Sequence, residues 1–421
     1  MRELRQSLQN FSSLGLSDAL LRALSDLGFT QPTPVQASAI PHISSGADVW
    51  ASAQTGSGKT AAYVLPILQR AGAAERPTSR TLSTLVLVPT RELASQVADT
   101  IASLSAHLPG RVKTCVAVGG VSINPQMLAL RGGADIVVAT PGRLLDLLEH
   151  NALRLSSVTM FVLDEADRLL SLGFADELGR VRAQLPARCQ TLLFSATFPP
   201  PVRALVDGML HQPVAIDIDQ GNTPDATAIA QRAILVDEPR RGELLRHLLR
   251  TEAWPRLLVF VATQYATEHL SDKLRRHGFK AAPMHGELSQ GARTQALGDL
   301  KAGRVQVLVA TDLAGRGLDI AELPAVLNFD LPRSPVDYVH RIGRTGRAGE
   351  AGVAVSFVTA KNSAHFALIE RRHRLTLARE VVAGFEPTEA PVAPSSDGGV
   401  KGKRKSKKDK LREAALRAAR R

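Results

Sequence analysis

The sequence predicts an α/β protein of two tandem domains, each a parallel sheet covered by helices on both faces, with a disordered basic tail behind them. Three observations predict it: the length, a strand and helix rhythm that runs once and then restarts, and a change of composition after residue 383. At 421 residues the chain is too long for one hydrophobic core, because domains hold roughly 100 to 200 residues each.

Short apolar, β-branched runs mark the first set of strands: Asp48 to Ser52, Val112 to Val118, Ile136 to Ala139, Val158 to Leu163 and Thr191 to Phe194. Helical patterns lie between them, and such alternation makes a parallel sheet buried on both faces. The rhythm restarts with Ala233 to Val236, Leu257 to Val261, Val305 to Ala310 and Val353 to Val358. Between the halves, Asp219 to Thr227 contains Gln-Gly-Asn-Thr-Pro-Asp and reads as a linker. The first domain is therefore placed at 1–216, the linker at 217–230, the second domain at 231–383 and the tail at 384–421. The tail opens with Glu386-Pro387-Thr388-Glu389-Ala390-Pro391 and continues through Ser395-Ser396-Asp397-Gly398-Gly399, too poor in apolar groups to order itself. Its last residues, Asp409 to Arg421, read as a short basic helix.

No stretch approaches the ~18 uninterrupted apolar residues of a membrane span, and Met1 to Phe11 carries no apolar run. The expectation is an intracellular, cytoplasmic protein with no membrane partner. Cys115 and Cys189 have no CxxC or Cys/His spacing and read as two core thiols in a reducing compartment. The formal charge of +12 is unevenly placed: residues 401–421 hold eleven lysines and arginines against Asp409 and Glu413, whereas 384–400 hold three acids and no base. Such a tail suits a polyanion such as nucleic acid, and it equally suits a solvated end.

The strand Asp48 to Ser52 leads through Ala53-Gln54-Thr55-Gly56-Ser57-Gly58-Lys59-Thr60 into helix-like Ala61 to Gln69, the setting a P-loop requires. Gly56 and Gly58 let the backbone turn its N–H groups around phosphate oxygens at a helix N-terminus. Lys59 is placed to reach the β- and γ-phosphates of ATP, and the Thr60 hydroxyl to bind Mg²⁺. Where the general pattern has glycine first, this chain has Ala53. The apolar strand Met160 to Leu163 ends in Asp164-Glu165-Ala166-Asp167. Asp164 there suits Mg²⁺, and Glu165 suits orienting and deprotonating an attacking water. An acidic run at a strand end is commonly a solvated turn, but that reading leaves its pairing with a P-loop unexplained.

The spelling Asp164-Glu165-Ala166-Asp167 resembles the signature of the DEAD-box helicases, and the other motifs are similar to that family in order and spacing from Phe11 to Arg347. Residues 9–37, with Gly28-Phe29 and Pro32-Thr33-Pro34-Val35-Gln36, look like the Q motif, whose glutamine amide reads the adenine edge. Phe11 matches the upstream aromatic of that motif and reads equally as a hydrophobic anchor. Pro89-Thr90-Arg91, Gly119-Gly120 and Thr140 with Arg143 resemble the RNA-contacting motifs of the first domain, as Gln290, Arg293 and Thr311 do in the second. The resemblance puts Asp319 on the ATP ribose and makes Arg344 and Arg347 arginine fingers. It assigns coupling between hydrolysis and strand separation to Asp167, Ser195, Thr197 and His340. Gly315 and Ala262 depart from the usual family residues and put only local geometry in doubt. Gln290 to Thr294 and the basic tail look most like RhlE-type members.

The resemblance implies two RecA-like domains that close on ATP, Mg²⁺ and single-stranded RNA, with RNA-stimulated hydrolysis and local opening of short duplexes. Contact through phosphates and 2′-hydroxyls makes the RNA partner non-sequence-specific. Ribosome assembly, RNA remodelling or RNA decay is the implied setting, with ribosomal or RNA-decay proteins as partners. Two rivals stand: a DNA helicase or translocase of the same superfamily, against which the Q motif and Asp167 argue, and an ATP-gated RNA clamp without turnover, against which Glu165, Arg344 and Arg347 argue. Removing residues 384–421 is expected to weaken RNA affinity while maximal ATP turnover at saturating RNA stays largely intact. Each lost phosphate contact should flatten the log-log salt dependence by about 0.7 on single strands. An unchanged slope would return the tail to a solvated end.

Overall fold

Runs of branched aliphatic residues form the strands of two sheets, and every strand pair is parallel. The computed structural model describes residues 10–53, 56–73, 80–218, 229–315, 323–346 and 352–389. The first sheet comprises β1 (Val49–Ser52), β2 (Thr84–Leu87), β3 (Thr114–Ala117), β4 (Ile136–Ala139), β5 (Met160–Leu163), β6 (Gln190–Ser195) and β7 (Val214–Asp217). The second comprises β8 (Ile229–Leu235), β9 (Leu257–Phe260), β10 (Ala281–Met284), β11 (Val307–Ala310), β12 (Ala325–Asn328), β13 (Gly352–Val358) and β14 (Arg379–Glu380). Their orders are β3-β4-β2-β5-β6-β1-β7 and β10-β11-β9-β12-β13-β8-β14, which is one topology repeated.

Alternate residues of each strand enter opposite cores, as a sheet covered on both faces requires. Val86, Val138, Val162 and Phe194 join one core, while Leu85, Leu87, Val137 and Phe161 join the other. Leu257, Val259 and Leu327 are divided in the same way from Leu258, Phe260 and Val326. Several strands are shorter than the sequence suggests, because pairing begins only where the neighbour runs alongside. β3 pairs with β4 from Thr114↔Ile136 to Ala117↔Ala139, which excludes Val112, Lys113 and Val118. Cys115 is buried in β3, whereas Cys189 is half-buried just before β6.

The domain boundaries shift. Asp217, placed in the linker, ends β7 beside Ser52, and the Ile218 N–H donates to the Ser52 carbonyl, so the first sheet runs past residue 216. Ile229 and Ala230 already pair with β13, so they belong to the second sheet and not to the linker, while 219–228 lie outside the described residues. At the other end, residues 384–389 are packed onto the second domain. The Asp237 carboxylate accepts the N–H groups of Thr388 and Glu389 and the Thr388 hydroxyl. Phe385 lies under the Arg240 guanidinium at 4.9 Å. Averaged composition hid one well-placed aromatic and one acceptor. A truncation that tests the tail therefore begins at Ala390, beyond which lie 390–421, the expected basic helix included, outside the described residues.

Arg341 ties the C-terminal strand ends of the second sheet together. It is 1% exposed, on the helix Pro335–Ile342. Its guanidinium pairs with both oxygens of Asp312, at 2.5 and 2.8 Å, and donates to Asn328 Oδ1 at the end of β12 and to the Asp330 carbonyl. It also lies over the Phe260 ring of β9 at 4.9 Å. Arg341→Ala is expected to destabilise this domain by about 3 kcal/mol, the low end for a broken buried pair because Asp312 keeps some solvent. Urea unfolding followed at Trp254, in a Trp50→Phe background, measures it. An unmoved midpoint would make Arg341 dispensable to the fold.

Candidate active site in the cleft between the domains

Strand order builds the site. β5, β6 and β1 are adjacent, with Ser52 beside Ser195 and Leu163 beside Leu193, so the segments leaving their C-terminal ends share one edge. Those segments are the P-loop, the acidic run and Ser195-Ala196-Thr197, which lie far apart in sequence. Ligands of open parallel sheets gather at such an edge.

In the P-loop, Gly56 and Gly58 both adopt φ of 89°, the left-handed conformation glycine allows. Gly58 is also required sterically, since a Cβ there would lie 2.4 Å from the Gln36 amide nitrogen. Gln36 is 1% exposed; its Nε2 donates to the Gly58 carbonyl at 3.1 Å and its Oε1 accepts from Thr33 N at 3.0 Å. The amide thus ties the Q-motif helix Pro34–Ser44 to the P-loop while keeping one N–H and one lone pair for another partner. Lys59 is buried and donates to the Ala53 carbonyl at 2.8 Å. Ser57 and Thr60 are half-buried, and Gln54 and Thr55 lie outside the described residues. Phe11 is 5% exposed and packs in the core with Leu14 and Leu20, the anchor reading of that residue.

Asp164 is 2% exposed; its Oδ1 accepts from Glu165 N at 2.8 Å, and its Oδ2 accepts from the Tyr63 hydroxyl at 2.8 Å. Burial pushes its carboxyl up to about 6, although Lys59 and Tyr63 pull the other way. A buried carboxylate so short of positive charge, with the Thr60 hydroxyl on the adjoining P-loop helix, is an oxygen donor set that suits Mg²⁺. Glu165 sits at φ 50° and ψ 53°, a left-handed conformation costly for a residue with a Cβ. Burial alone would push its carboxyl up, but Arg168, Arg344 and Lys59 together outweigh it and hold the group below the usual carboxylate range. Arg168 Nη1 lies 3.0 Å from Glu165 Oε2.

Asp167 faces the third segment. Its Oδ2 accepts Thr197 N at 3.0 Å and the Thr197 hydroxyl at 2.7 Å, and its own N–H donates to Ser195 Oγ at 3.2 Å. His340, from the second domain, stands 3.9 Å from the same carboxylate oxygen. Arg344, 3% exposed, comes from that domain too and contributes to the low Glu165 value. A third cross-domain contact pairs Arg293 with Glu92 at 2.8 Å, both nearly buried. Arg347 and Asp319 lie outside the described residues.

The motifs assigned to RNA in the first domain follow the adjacent strands β2, β3 and β4, and Thr311 follows β11 in the second, with varied exposure. Pro89 is buried, and Thr90 caps the helix Arg91–Leu104 by accepting from Leu93 N at 3.4 Å. Arg91 lies across Gly120, whose φ is 72° and where a Cβ would sit 2.1 Å from the guanidinium. Gly119 has open space around it, and Thr140 is the N-cap residue of the helix Pro141–Glu149. Thr311 follows β11 and donates its N–H to the Met284 carbonyl. The Gln290 amide oxygen is buried with no hydrogen-bond partner among the described residues. Two of these guanidinium groups also make contacts within the protein. Arg293 pairs with Glu92 across the cleft. Arg143 is 9% exposed and donates to the Val121 carbonyl at 2.8 Å, bracing the glycine loop. Arg143 Nε and Nη1 and Arg293 Nε are buried with no hydrogen-bond partner among the described residues, so donor capacity is left on both groups. Sequence reasoning missed Tyr63, Glu92 and Arg168. Arg168 stands three residues after Glu165, a helical spacing that could have revealed it.

Residues 33–205 match the DEAD/DEAH box helicase family, and residues 240–349 match the helicase conserved C-terminal domain. Over 369 residues the chain is 43% identical to the ATP-dependent RNA helicase DeaD of Escherichia coli, covering 87% of this chain and 57% of that protein. It therefore spans little more than half the length of that relative. It is 38% identical over 372 residues to the DEAD-box ATP-dependent RNA helicase CshA of Bacillus cereus, covering 88% and 70% of the two chains. Among solved structures, S. cerevisiae Dbp5 bound to RNA and ADP BeF3 superposes with a TM-score of 0.79 at 30% identity, over 89% of this chain and 96% of that one. A DEAD box protein from Methanococcus jannaschii reaches a TM-score of 0.51 at 36% identity, over 89% and 99%. The chain belongs to the DEAD-box RNA helicase family, and its two sheets are tandem RecA-like domains. Among the described residues, no helix is long and apolar enough to cross a membrane.

The Glu92–Arg293 pair makes the cleft testable. Reversing either charge, by Glu92→Arg or Arg293→Glu, is expected to lower the closed fraction at least tenfold, since breaking a buried pair costs about 3 kcal/mol or more and 1.4 kcal/mol is a factor of ten. Interdomain energy transfer between dyes on the two domains measures it. The double reversal should restore closure; a double variant as open as the singles would show that the pair does not hold the domains together.

Proposed function

We propose that this protein is an ATP-dependent RNA helicase whose ATPase site is completed only when its two domains close on RNA. The observation that carries the reading is the reach of Arg344, from the second domain, to the electrostatic surroundings of Glu165 in the first. Neither domain holds a full set of groups for phosphoryl transfer. The P-loop amides and Lys59 would hold the phosphates, Gln36 the adenine, and Thr60 and Asp164 the metal. Bound Mg²⁺ supplies neutralisation of phosphate charge. Glu165, kept ionised by Arg168 and Arg344, is suited to take a proton from the attacking water. Arg344 is placed as the arginine finger, with Arg347 and Asp319 assigned by family analogy alone.

For RNA, the open backbone at Gly119, the Arg91 guanidinium beside Gly120, Thr140, Thr311 and the unpartnered Gln290 oxygen offer donors and acceptors on both domains. Such groups recognise phosphate and sugar, and hence strand shape more than sequence. Arg143 and Arg293 support that surface from behind, as loop brace and domain latch. Asp167, bonded to Thr197 and facing His340, is positioned to pass closure to the segment after β6. We place the protein in the cytoplasm, acting on structured RNA in ribosome assembly, remodelling or decay. The finer RhlE-type assignment rests on the Gln290 to Thr294 spelling and the basic tail, whereas the relatives described above carry the names DeaD and CshA.

Glu165→Gln tests the reading. It keeps size and hydrogen bonding but removes the charge that accepts a proton, so turnover should fall by about 10² to 10⁴-fold. Asp164 remains, so ATP should still bind. Because ATP and RNA affinities are reciprocally coupled, the blocked enzyme should release single-stranded RNA more slowly than wild type when ATP is present. Normal turnover would remove Glu165 as the base, and fast RNA release would show that bound ATP does not hold the cleft closed.

A further inference from the structure

Tyr63 stands in an apolar stretch of the helix Lys59–Ala73 and has the sequence setting of a core aromatic. Its ring does pack as one, fully buried and tilted against Phe194 of β6 with centroids 5.2 Å apart. Its hydroxyl does something a core aromatic need not do. It donates to Asp164 Oδ2 at 2.8 Å, across 101 positions of sequence. Burial and the neighbouring Asp164 charge keep the phenol protonated, its ionisation pushed well above the ordinary value, so it stays a donor.

We infer that Tyr63 is a positioning residue for the metal site: its hydroxyl holds Asp164 Oδ2, so that the carboxylate is presented to Mg²⁺ in one orientation. The inference rests on the reading of Asp164 as a Mg²⁺ group. Tyr63 and Asp164 sit on separate elements, the helix Lys59–Ala73 and the strand end after β5, and this hydrogen bond ties the one to the other. The Glu165 N–H fixes one carboxylate oxygen of Asp164 and the Tyr63 hydroxyl fixes the other, so the carboxylate cannot rotate. Each oxygen keeps lone-pair capacity for a cation or its water. Partners that orient a metal ligand in this way commonly contribute 10- to 100-fold in metal affinity.

Tyr63→Phe removes the hydroxyl and keeps the ring against Phe194. The experiment uses the full chain and a fluorescent ATP analogue, reading anisotropy as Mg²⁺ is titrated, with no turnover required. The Mg²⁺ midpoint for analogue binding should rise about tenfold or more in Tyr63→Phe, while binding in EDTA and the thermal unfolding midpoint stay near wild type. Tyr63→Leu, which loses the ring as well, should move the Mg²⁺ midpoint no further than Tyr63→Phe even where it lowers stability. A Mg²⁺ midpoint within twofold of wild type in Tyr63→Phe would overturn the inference and leave Tyr63 a core aromatic. Asp164→Asn in the same titration separates the two levels: if it moves the midpoint and Tyr63→Phe does not, only the role of Tyr63 falls. If Asp164→Asn leaves the midpoint unmoved, the metal-site reading falls and the inference with it.

Discussion

Three carboxylates buried within four residues at the end of β5 dictate the rest of the cleft. Asp164, Glu165 and Asp167 are each less than a tenth exposed, and a buried charge is costly unless it is paired and hydrogen-bonded. Each finds a different compensation. Asp164 has two donors, with Lys59 as the nearby charge, and is left short of cation. Glu165 has Arg168 from its own helix and Arg344 from the facing domain. Asp167 has the backbone and hydroxyl of Thr197 and looks toward His340. A cluster balanced partly by its own domain and partly by the other favours the closed arrangement.

The parallel topology makes such a cluster possible. With β5 between β2 and β6, and β6 beside β1, the P-loop, the acidic run and the Ser195 to Thr197 segment meet at one edge without any long loop. Packing on both faces of the sheet leaves the strand ends little freedom. Glu165 can therefore be held in a left-handed backbone conformation that costs of order 1 to 3 kcal/mol in isolation. Its carboxylate pairs with Arg168 of the same helix and also feels the charge of Arg344 from the facing domain. The second sheet repeats the topology but spends its strand ends differently. There Arg341 joins Asp312, Asn328 and Asp330 into a rigid platform, and the residues that follow it carry Arg344 to the cleft.

Much of this was legible in the sequence, and the parts that were not share a cause. Short apolar, β-branched runs, the glycine spacing of the P-loop and the strand-ending acidic run are local patterns, so they gave both sheets and the core of the nucleotide site. Burial and partner choice depend on elements that meet only in the fold. Arg293 reads as an RNA contact because its motif lies on the second domain, yet Glu92 faces it from the first. Arg143 reads as a phosphate holder, and the Val121 carbonyl takes it. Gln36 carries a nucleotide reading, but half of its hydrogen-bonding capacity is spent on Thr33 and Gly58. Tyr63 gave no signal, since a tyrosine among aliphatics is ordinarily core. At residues 384–389 the average composition concealed Phe385 and the Asp237 acceptor that hold the segment.

The same division of charges separates what salt can change from what it cannot. Between the domains, the Glu92–Arg293 ion pair and the attraction of Arg344 for Glu165 both involve buried side chains, and buried charges are screened little by added salt. The groups proposed to face RNA are more open, as at Arg91 and Gly119, and the charge of residues 401–421 is carried in sequence beyond both sheets. Attraction of that kind to a polyanion falls steeply with ionic strength. Under the proposed function, capture of RNA and closure upon it would draw on physically different electrostatics. Salt would weaken the encounter, while geometry, through the Glu92–Arg293 pair and the reach of Arg344 to the surroundings of Glu165, would decide whether the encounter becomes a closed and complete site.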